Sequence, residues 1–292
     1  MTNVTFSDHP QDALMAFEQA QRQHRRSRRL HHITFCSLFG LALVFSCYVG
    51  EVSIENFVEE LPGFLNYIRD ITPQIRVQHA AQDIGEWYWG IGKWLKLLFD
   101  TVIMAFLGTL FGACGAFLIC FSASRNLVHH TVIYVISRRL TELARAVPEL
   151  VYAMIFVFSF GLGPFPGVLA IAIHSMGALE KLFSEVNENV DMRPLEGARA
   201  AAANWFQMIR FAVVPQVLPD YLSYTLLRFE INVRAAAVIG FVGAGGIGQE
   251  LMFVIRQFVY ADISAIVILI ILSVALIDMV CERFRHRAIG ST

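Results

Sequence analysis

The sequence predicts an all-α membrane protein of about six transmembrane helices, and three observations carry that reading. The first is composition. Of 292 residues, 56% are apolar and only 16% charged, with a mean hydropathy of +0.54, whereas soluble domains carry about a quarter charged residues. The second is the spacing of apolar runs. A span needs roughly 20 apolar residues to cross about 30 Å of hydrocarbon, and, with interruptions that a helix bundle can shelter allowed, six candidates emerge: 33–50, 95–121, a run centred on 150–160 with an amphipathic lead-in, 165–183, 211–239 and 263–281. The third is where the basic residues fall, because Lys and Arg near span ends are retained in the cytoplasm. Fifteen arginines (Arg22, Arg25, Arg26, Arg28, Arg29, Arg125, Arg138, Arg139, Arg145, Arg193, Arg199, Arg210, Arg283, Arg285 and Arg287) fall on the side of the N-terminus. Five basic residues (Arg69, Arg76, Lys93, Lys96 and Arg256) fall on the other. With six spans this places both termini in the cytoplasm.

The elements follow in order. Residues 1–32 form a cytoplasmic N-terminal segment in which Ala13, Phe17 and Ala20 suggest a short amphipathic helix along the membrane face. The first span, 33–50, follows a polar stretch and has no small-residue cleavage site after it, so the anchor should stay attached. Residues 51–94 form the long external loop, with seven acidic residues (Glu51, Glu55, Glu59, Glu60, Asp70, Asp83, Glu86) and the cluster Trp87, Tyr88, Trp89 and Trp94, which reads as an interfacial aromatic belt. The main transmembrane domain is 95–286, followed by a tail at 287–292. Its first helix carries Gly108, Gly112 and Gly115, a small-residue face suited to close helix approach, including approach by a second subunit.

Several functions are excluded. The 23 basic and 24 acidic residues nearly cancel, leaving no positive field to hold nucleic acid. Cys36, Cys47, Cys114, Cys120 and Cys281 show no CxxC spacing, and the pairs His31-His32 and His129-His130 lack partners at metal-ligand spacing, so neither disulfide nor metal is expected. Gly243-Ala-Gly245-Gly246-Ile-Gly248 matches G-x-G-x-x-G, yet no soluble βαβ unit surrounds it and no acidic residue follows about 20 positions on. It reads better as an unwound loop between the fifth span and a short returning helix, at the outer end of the bundle. No P-loop occurs, so ATP and Mg²⁺, if used, belong to a partner, and no cofactor is expected on this chain.

The internal segment near 193–205 is where such a partner would dock. Asp191 and Pro194 signal a helix start, and Leu195 to Ala203 are strong helix formers ending at Asn204. A helix too polar to span and too small-sided for its own core is suited to another protein's groove.

Glu196-Gly197-Ala198, then Ala202 and Val214-Pro215, resemble the cytoplasmic coupling motif of bacterial ABC importer permeases, E-A-A, three residues, G, nine residues, I-x-L-P. Gly197 stands for the first Ala, Ala202 for the Gly, Ala212 for the Ile and Val214 for the Leu. Pro215-Gln216-Val217, Arg228-Phe229-Glu230, Asn232-Val233-Arg234, Val242 to Gly248, Gly161-Leu162-Gly163-Pro164 and Ile173-His174 resemble the phosphonate-type branch, over about 95–285. The resemblance implies a type I importer permease core with one extra N-terminal span, in the bacterial inner membrane. It also implies a second permease as homo- or heterodimer, two cytoplasmic ATPase subunits, and a periplasmic binding protein delivering phosphonate, phosphite or hypophosphite. Glu196, Gly197, Ala198, Arg199, Ala202 and Asn204 would contact the ATPase.

Independently, Arg228, Glu230, Asn232 and Arg234 interrupt an apolar run, where a charge costs roughly 2.5–3.5 kcal/mol at the bilayer centre. Glu230 and Arg234, four apart, are expected to pair. Arg228 with Asn232 has no such partner and is the first candidate for an oxyanion contact, with Arg234 and His174 as alternatives. Gly243, Gly245, Gly246 and Gly248 are expected to line an external gate. An ion-coupled secondary transporter is the alternative, through Glu149, Glu180, Glu230 and Asp278, but no duplicated halves support it. A catalytic constellation is absent, so the chain is not expected to be an enzyme.

Overall fold

The computed structural model describes residues 10–73, 76, 79–128 and 130–289, and every regular element among them is helical. His129 and the tail beyond Ile289 lie outside the described residues. The helices are α1 (Pro10–Val49), α2 (Ile54–Ile71), α3 (Ala80–Trp87), α4 (Ile91–Cys120), α5 (Thr131–Ala146), α6 (Glu149–Phe160), α7 (Pro164–Glu188), α8 (Met192–Ala200), α9 (Trp205–Met208), α10 (Val214–Ile239), α11 (Gly246–Arg256) and α12 (Tyr260–Ile289). Two compact units result, one ending at Ile68 and the other beginning at Arg69.

Four helices are long and apolar enough to cross a membrane: α1 from Ser27, α4, α7 and α12. Two bent pairs raise the number to six. Between α5 and α6 the axis turns 83°. Val147 is extended before Pro148, as the proline ring requires, and the chain restarts at Glu149. The other pair, 205–242 with α11, bends by 45°.

In the first unit, α1 is one uninterrupted helix rather than a separate amphipathic segment followed by a span. No proline or glycine falls between Gln11 and Phe39, so nothing in the backbone stops it. The 51–94 segment is likewise mostly helical, holding α2 and α3.

In the second unit α4 is the central column. Its face Gly108, Gly112, Gly115 is taken by α7 of the same chain, not reserved for a second subunit. A Cβ on Gly108 would stand 2.6 Å from Ile171 Cγ2, on Gly112 2.8 Å from Ser175 Cβ and on Gly115 2.8 Å from Met176 Sδ. Three apolar clusters follow one another down α4. Trp94 packs with Ile247, Leu251 and Ile266. Met104 and Ala105 pack with Ala170, Ile171, Val233 and Ile239. Ala116, Cys120 and Phe121 pack with Phe183, Leu195 and Tyr221. The tryptophans therefore do more than line an interface. Trp94 is 1% exposed, and Trp87 Nε1 donates to Ala261 O (3.0 Å) and Ser264 Oγ (3.1 Å) while Trp89 Nε1 donates to Asp262 Oδ1 (3.0 Å), pinning the first turn of α12.

Candidate functional site

Three places gather the residues singled out above, at successive levels along α4. The first is the segment at its C-terminal end. Asp191 caps α8 through Arg193 N–H (3.0 Å), and Leu195, 1% exposed, roots the helix among Phe183, Leu127 and Val213. Burying one such leucine stabilises by roughly 1.5–3 kcal/mol. Glu196, Gly197 and Arg199 face outward, Ala198 is half-buried, and a Cβ on Gly197 would meet nothing within 4 Å. The predicted helix breaks at Ala202, which takes φ +59 where the resembling motif has glycine. Asn204 then caps α9: its side chain accepts from Gln207 N–H and Gln207 accepts from Asn204 N–H, each at 2.9 Å. Trp205 Nε1 donates to Leu127 O (3.0 Å), tying this second turn to the chain beyond α4. A π turn, Ile209–Val213, leads into α10.

The second place is a polar cluster at mid-column. Asn232 is fully buried and its amide donates to Thr109 Oγ1 of α4 (2.7 Å) and Ser175 Oγ of α7 (2.8 Å). Arg228 Nε donates to the same Ser175 Oγ (3.2 Å), and its Nη2 faces Glu149 Oε2 of α6 at 3.8 Å. That separation satisfies an ion pair but exceeds a hydrogen bond. Arg228 Nη2, Glu149 Oε2 and Asn232 Oδ1 are all buried with no hydrogen-bond partner. One unmet donor and two unmet acceptors within one cluster are costly, each by about 1–3 kcal/mol, and mark a place where a small polar species would be welcome.

The expected Glu230–Arg234 pair does not form. Both reach across to α12 instead, Arg234 Nη1 to Asp278 Oδ2 (3.4 Å) and Glu230 Oε1 to Arg285 Nη1 (4.0 Å), because packing α10 on α12 offers an opposite charge to each. These charges brace two helices. His174 also has a structural partner: its Nδ1 lies 3.0 Å from Val147 O, at the corner between α5 and α6.

The third place is the glycine junction. Gly243, Gly245 and Gly246 take φ of +92°, +82° and +73°, a region that costs other residues roughly 1–2 kcal/mol. Gly163, at φ +142°, donates its N–H to Gly243 O (3.0 Å), so the break between α6 and α7 is joined to the break between α10 and α11. Gly248 allows α11 to touch the carbonyl of Ala237, which a Cβ would overlap. The close approach these glycines permit includes contacts within the chain itself.

The course of α11 differs from expectation. Ile247 N–H donates to Thr101 Oγ1 (2.8 Å), ten residues into α4 and hence about 15 Å from its start at 1.5 Å per residue. From there α11 runs on toward Trp94, carrying Leu251 and Val254 into that cluster. The helix therefore continues the path of α10 through a break instead of returning, and the glycines lie level with the turn where α6 ends and α7 begins.

Of the residues taken from sequence, the structure thus unites Arg228 with Asn232 and gathers all four glycines, while it parts Glu230 from Arg234. Glu149 was noticed as a carboxylate but not as the partner of Arg228. Its signal was position, the one charge in an otherwise apolar helix. Ser175 and Thr109 gave none, since hydroxyls within apolar helices usually bond their own backbone. Among the described residues no group of His, Cys, Asp or Glu is arranged to hold a metal.

Comparison with known proteins bears on this architecture. The chain is 36% identical to the phosphite transport system permease protein PtxC of Stutzerimonas stutzeri, over 82% of this chain and 83% of that one. It is 31% identical to the putative phosphite transport system permease protein HtxC of the same organism, over 89% and 88%. Its fold matches a crystal structure of a bacterial ABC transporter involved in the import of the acidic polysaccharide alginate, with TM-score 0.59 and 12% identity, over 92% of this chain and 99% of that one. Residues 115–287 match the model of the binding-protein-dependent transport system inner membrane component. On the match to more than half its length and on the identity to these relatives, the chain belongs to the family of binding-protein-dependent transport system inner membrane components, ABC importer permeases of the phosphonate and phosphite type.

Proposed function

We propose that the chain is the permease subunit of an ATP-driven importer of phosphite, phosphonate or a related phosphorus oxyanion, received from a periplasmic binding protein. Two copies, or one copy and a related permease, would enclose the path, and α8 would sit in the groove of a cytoplasmic ATPase. The observation that carries this reading is the form of α8: a short capped helix anchored by one buried leucine, with Glu196, Gly197 and Arg199 turned outward and open space beside Gly197. The names of the relatives support the substrate. The arginine-rich side would be cytoplasmic, with both termini there.

Within the path, Arg228 is the anion contact. A planar guanidinium suits a tetrahedral oxyanion, and the pairing with Glu149 means the anion exchanges with a resident carboxylate. Binding is then weak by construction, as a relay requires. The glycine junction would form the gate.

Two measurements test this in vesicles holding purified complex and saturating binding protein. Gly197→Trp should lower phosphite uptake at least tenfold while ATP hydrolysis continues; normal uptake in that variant would refute the docking role. Arg228→Ala should abolish uptake per assembled complex and Arg228→Lys reduce it in part. An unchanged rate per complex for Arg228→Ala would remove it from the path.

A further inference from the structure

We propose that α2 lies along the membrane surface with its apolar face in phospholipid, so that the first unit both crosses the bilayer and rests on it. The inference does not depend on the transported substrate. In α2, Phe57, Val58, Leu61, Phe64 and Leu65 stand three and four apart and share one face, while Glu55, Glu59 and Asp70 fall on the opposite one. All five apolar side chains are exposed, from 39% at Leu61 to 68% at Phe57.

What covers them follows from the chain that leads in. The span of α1, from Ser27 to Val49, is long and apolar enough to cross a bilayer and has none of its apolar window buried against the chain. It ends in a defined reversal. Glu51 takes φ +51°, its N–H donates to Tyr48 O (3.3 Å) and Val52 N–H donates to Cys47 O (3.0 Å), a Schellman-type stop that fixes the direction of the next residues. Ser53 Oγ then accepts from Asn56 N–H (3.2 Å) and starts α2. The connection is four residues, 50–53, which reach no more than about 14 Å. The beginning of α2 is thus held within headgroup distance of the end of a span, and an amphipathic helix so tethered presents its apolar face to the lipid–water boundary. Because its polar side carries Glu55, Glu59 and Asp70 against the single basic Arg69, attraction to anionic lipid contributes little and the contact should hardly weaken in high salt.

The test uses the full-length protein in vesicles of phosphatidylethanolamine and phosphatidylglycerol, with Cys36, Cys47 and Cys114 replaced by alanine and a nitroxide on a single introduced cysteine. Leu61→Cys and Leu65→Cys report the apolar face, and Glu55→Cys and Glu59→Cys the acidic one. Lipid-soluble oxygen should relax the first two labels more than a water-soluble nickel chelate does, with the order reversed for the other two, and one molar salt should leave the pattern unchanged. Labels at 61 and 65 shielded from both reagents would show a protein cover, a second copy or another chain, and overturn the proposal. Labels there reached mainly by nickel would show a helix free in water and overturn it equally.

Discussion

The glycine junction and the Arg228 cluster both interrupt an apolar helix bundle with backbone or polar groups, yet they are built in opposite ways. At the junction the interruption is closed: Gly163 N–H meets Gly243 O, Ile247 N–H meets Thr101 Oγ1, and Gly248 lies against the Ala237 carbonyl with no space for a methyl. At the cluster the interruption is open: three buried polar atoms are unmatched, and the ion pair stands at 3.8 Å. The contrast separates two ways in which polar groups are tolerated within a span. One meets them with partners from the same chain; the other leaves valences for a visitor.

The sharpest way to break this comparison is Gly248→Val. A β-branched side chain against a backbone carbonyl cannot be absorbed by rotamer change, so the variant should lose more than about 4 kcal/mol and give no monodisperse protein in detergent. Normal yield would mean the junction is looser than its packing implies.

Next in size is Glu149→Gln. Removing the resident carboxylate leaves Arg228 without a competitor, so the anion should be held longer and uptake per complex fall about tenfold, equivalent to 1.4 kcal/mol, with a lower half-saturating concentration. Faster turnover would overturn the exchange mechanism. Asn232→Ala is milder. It removes bonds to Thr109 and Ser175, and interhelical bonds in membranes average about 0.6 kcal/mol each, so a fall in Tm of a few degrees is expected with the complex still assembled. A fall as large as that of Gly248→Val would place the cluster among the rigid elements.

The smallest effect runs the other way and lies outside both regions. Ala202 holds a left-handed φ of +59°, so Ala202→Gly should raise stability by about 1 kcal/mol, read as a rise in Tm with unchanged uptake. Loss of stability would show that the methyl packs against something that offsets its strain.

The apolar stretches read in the sequence fall on four helices long enough to cross a membrane and on two bent pairs, because their signal is local: apolar residues at helical spacing, broken by Pro148 and by the glycine run. The site was legible by residue type and not by partner. Arg228, Asn232 and the glycines stood out as polar or flexible residues in apolar surroundings. That Arg228 meets Glu149 while Arg234 meets Asp278 depends on how α6, α10 and α12 pack, and no spacing along the chain encodes that. The direction of α11 was missed for a related reason. A glycine-rich break permits a reversal or a continuation alike, and the choice was made by Leu251 and Val254 finding Trp94.

The bond from Gly163 to Gly243 has a bearing on how the two breaks move. Because one donor and one acceptor are shared between the α6–α7 and α10–α11 junctions, opening either break costs the bond that holds it to the other. The link is made entirely of backbone, which leaves side-chain scanning blind to it. An amide-to-ester replacement that deletes only the Gly163 N–H would uncouple the two breaks while every side chain stays in place.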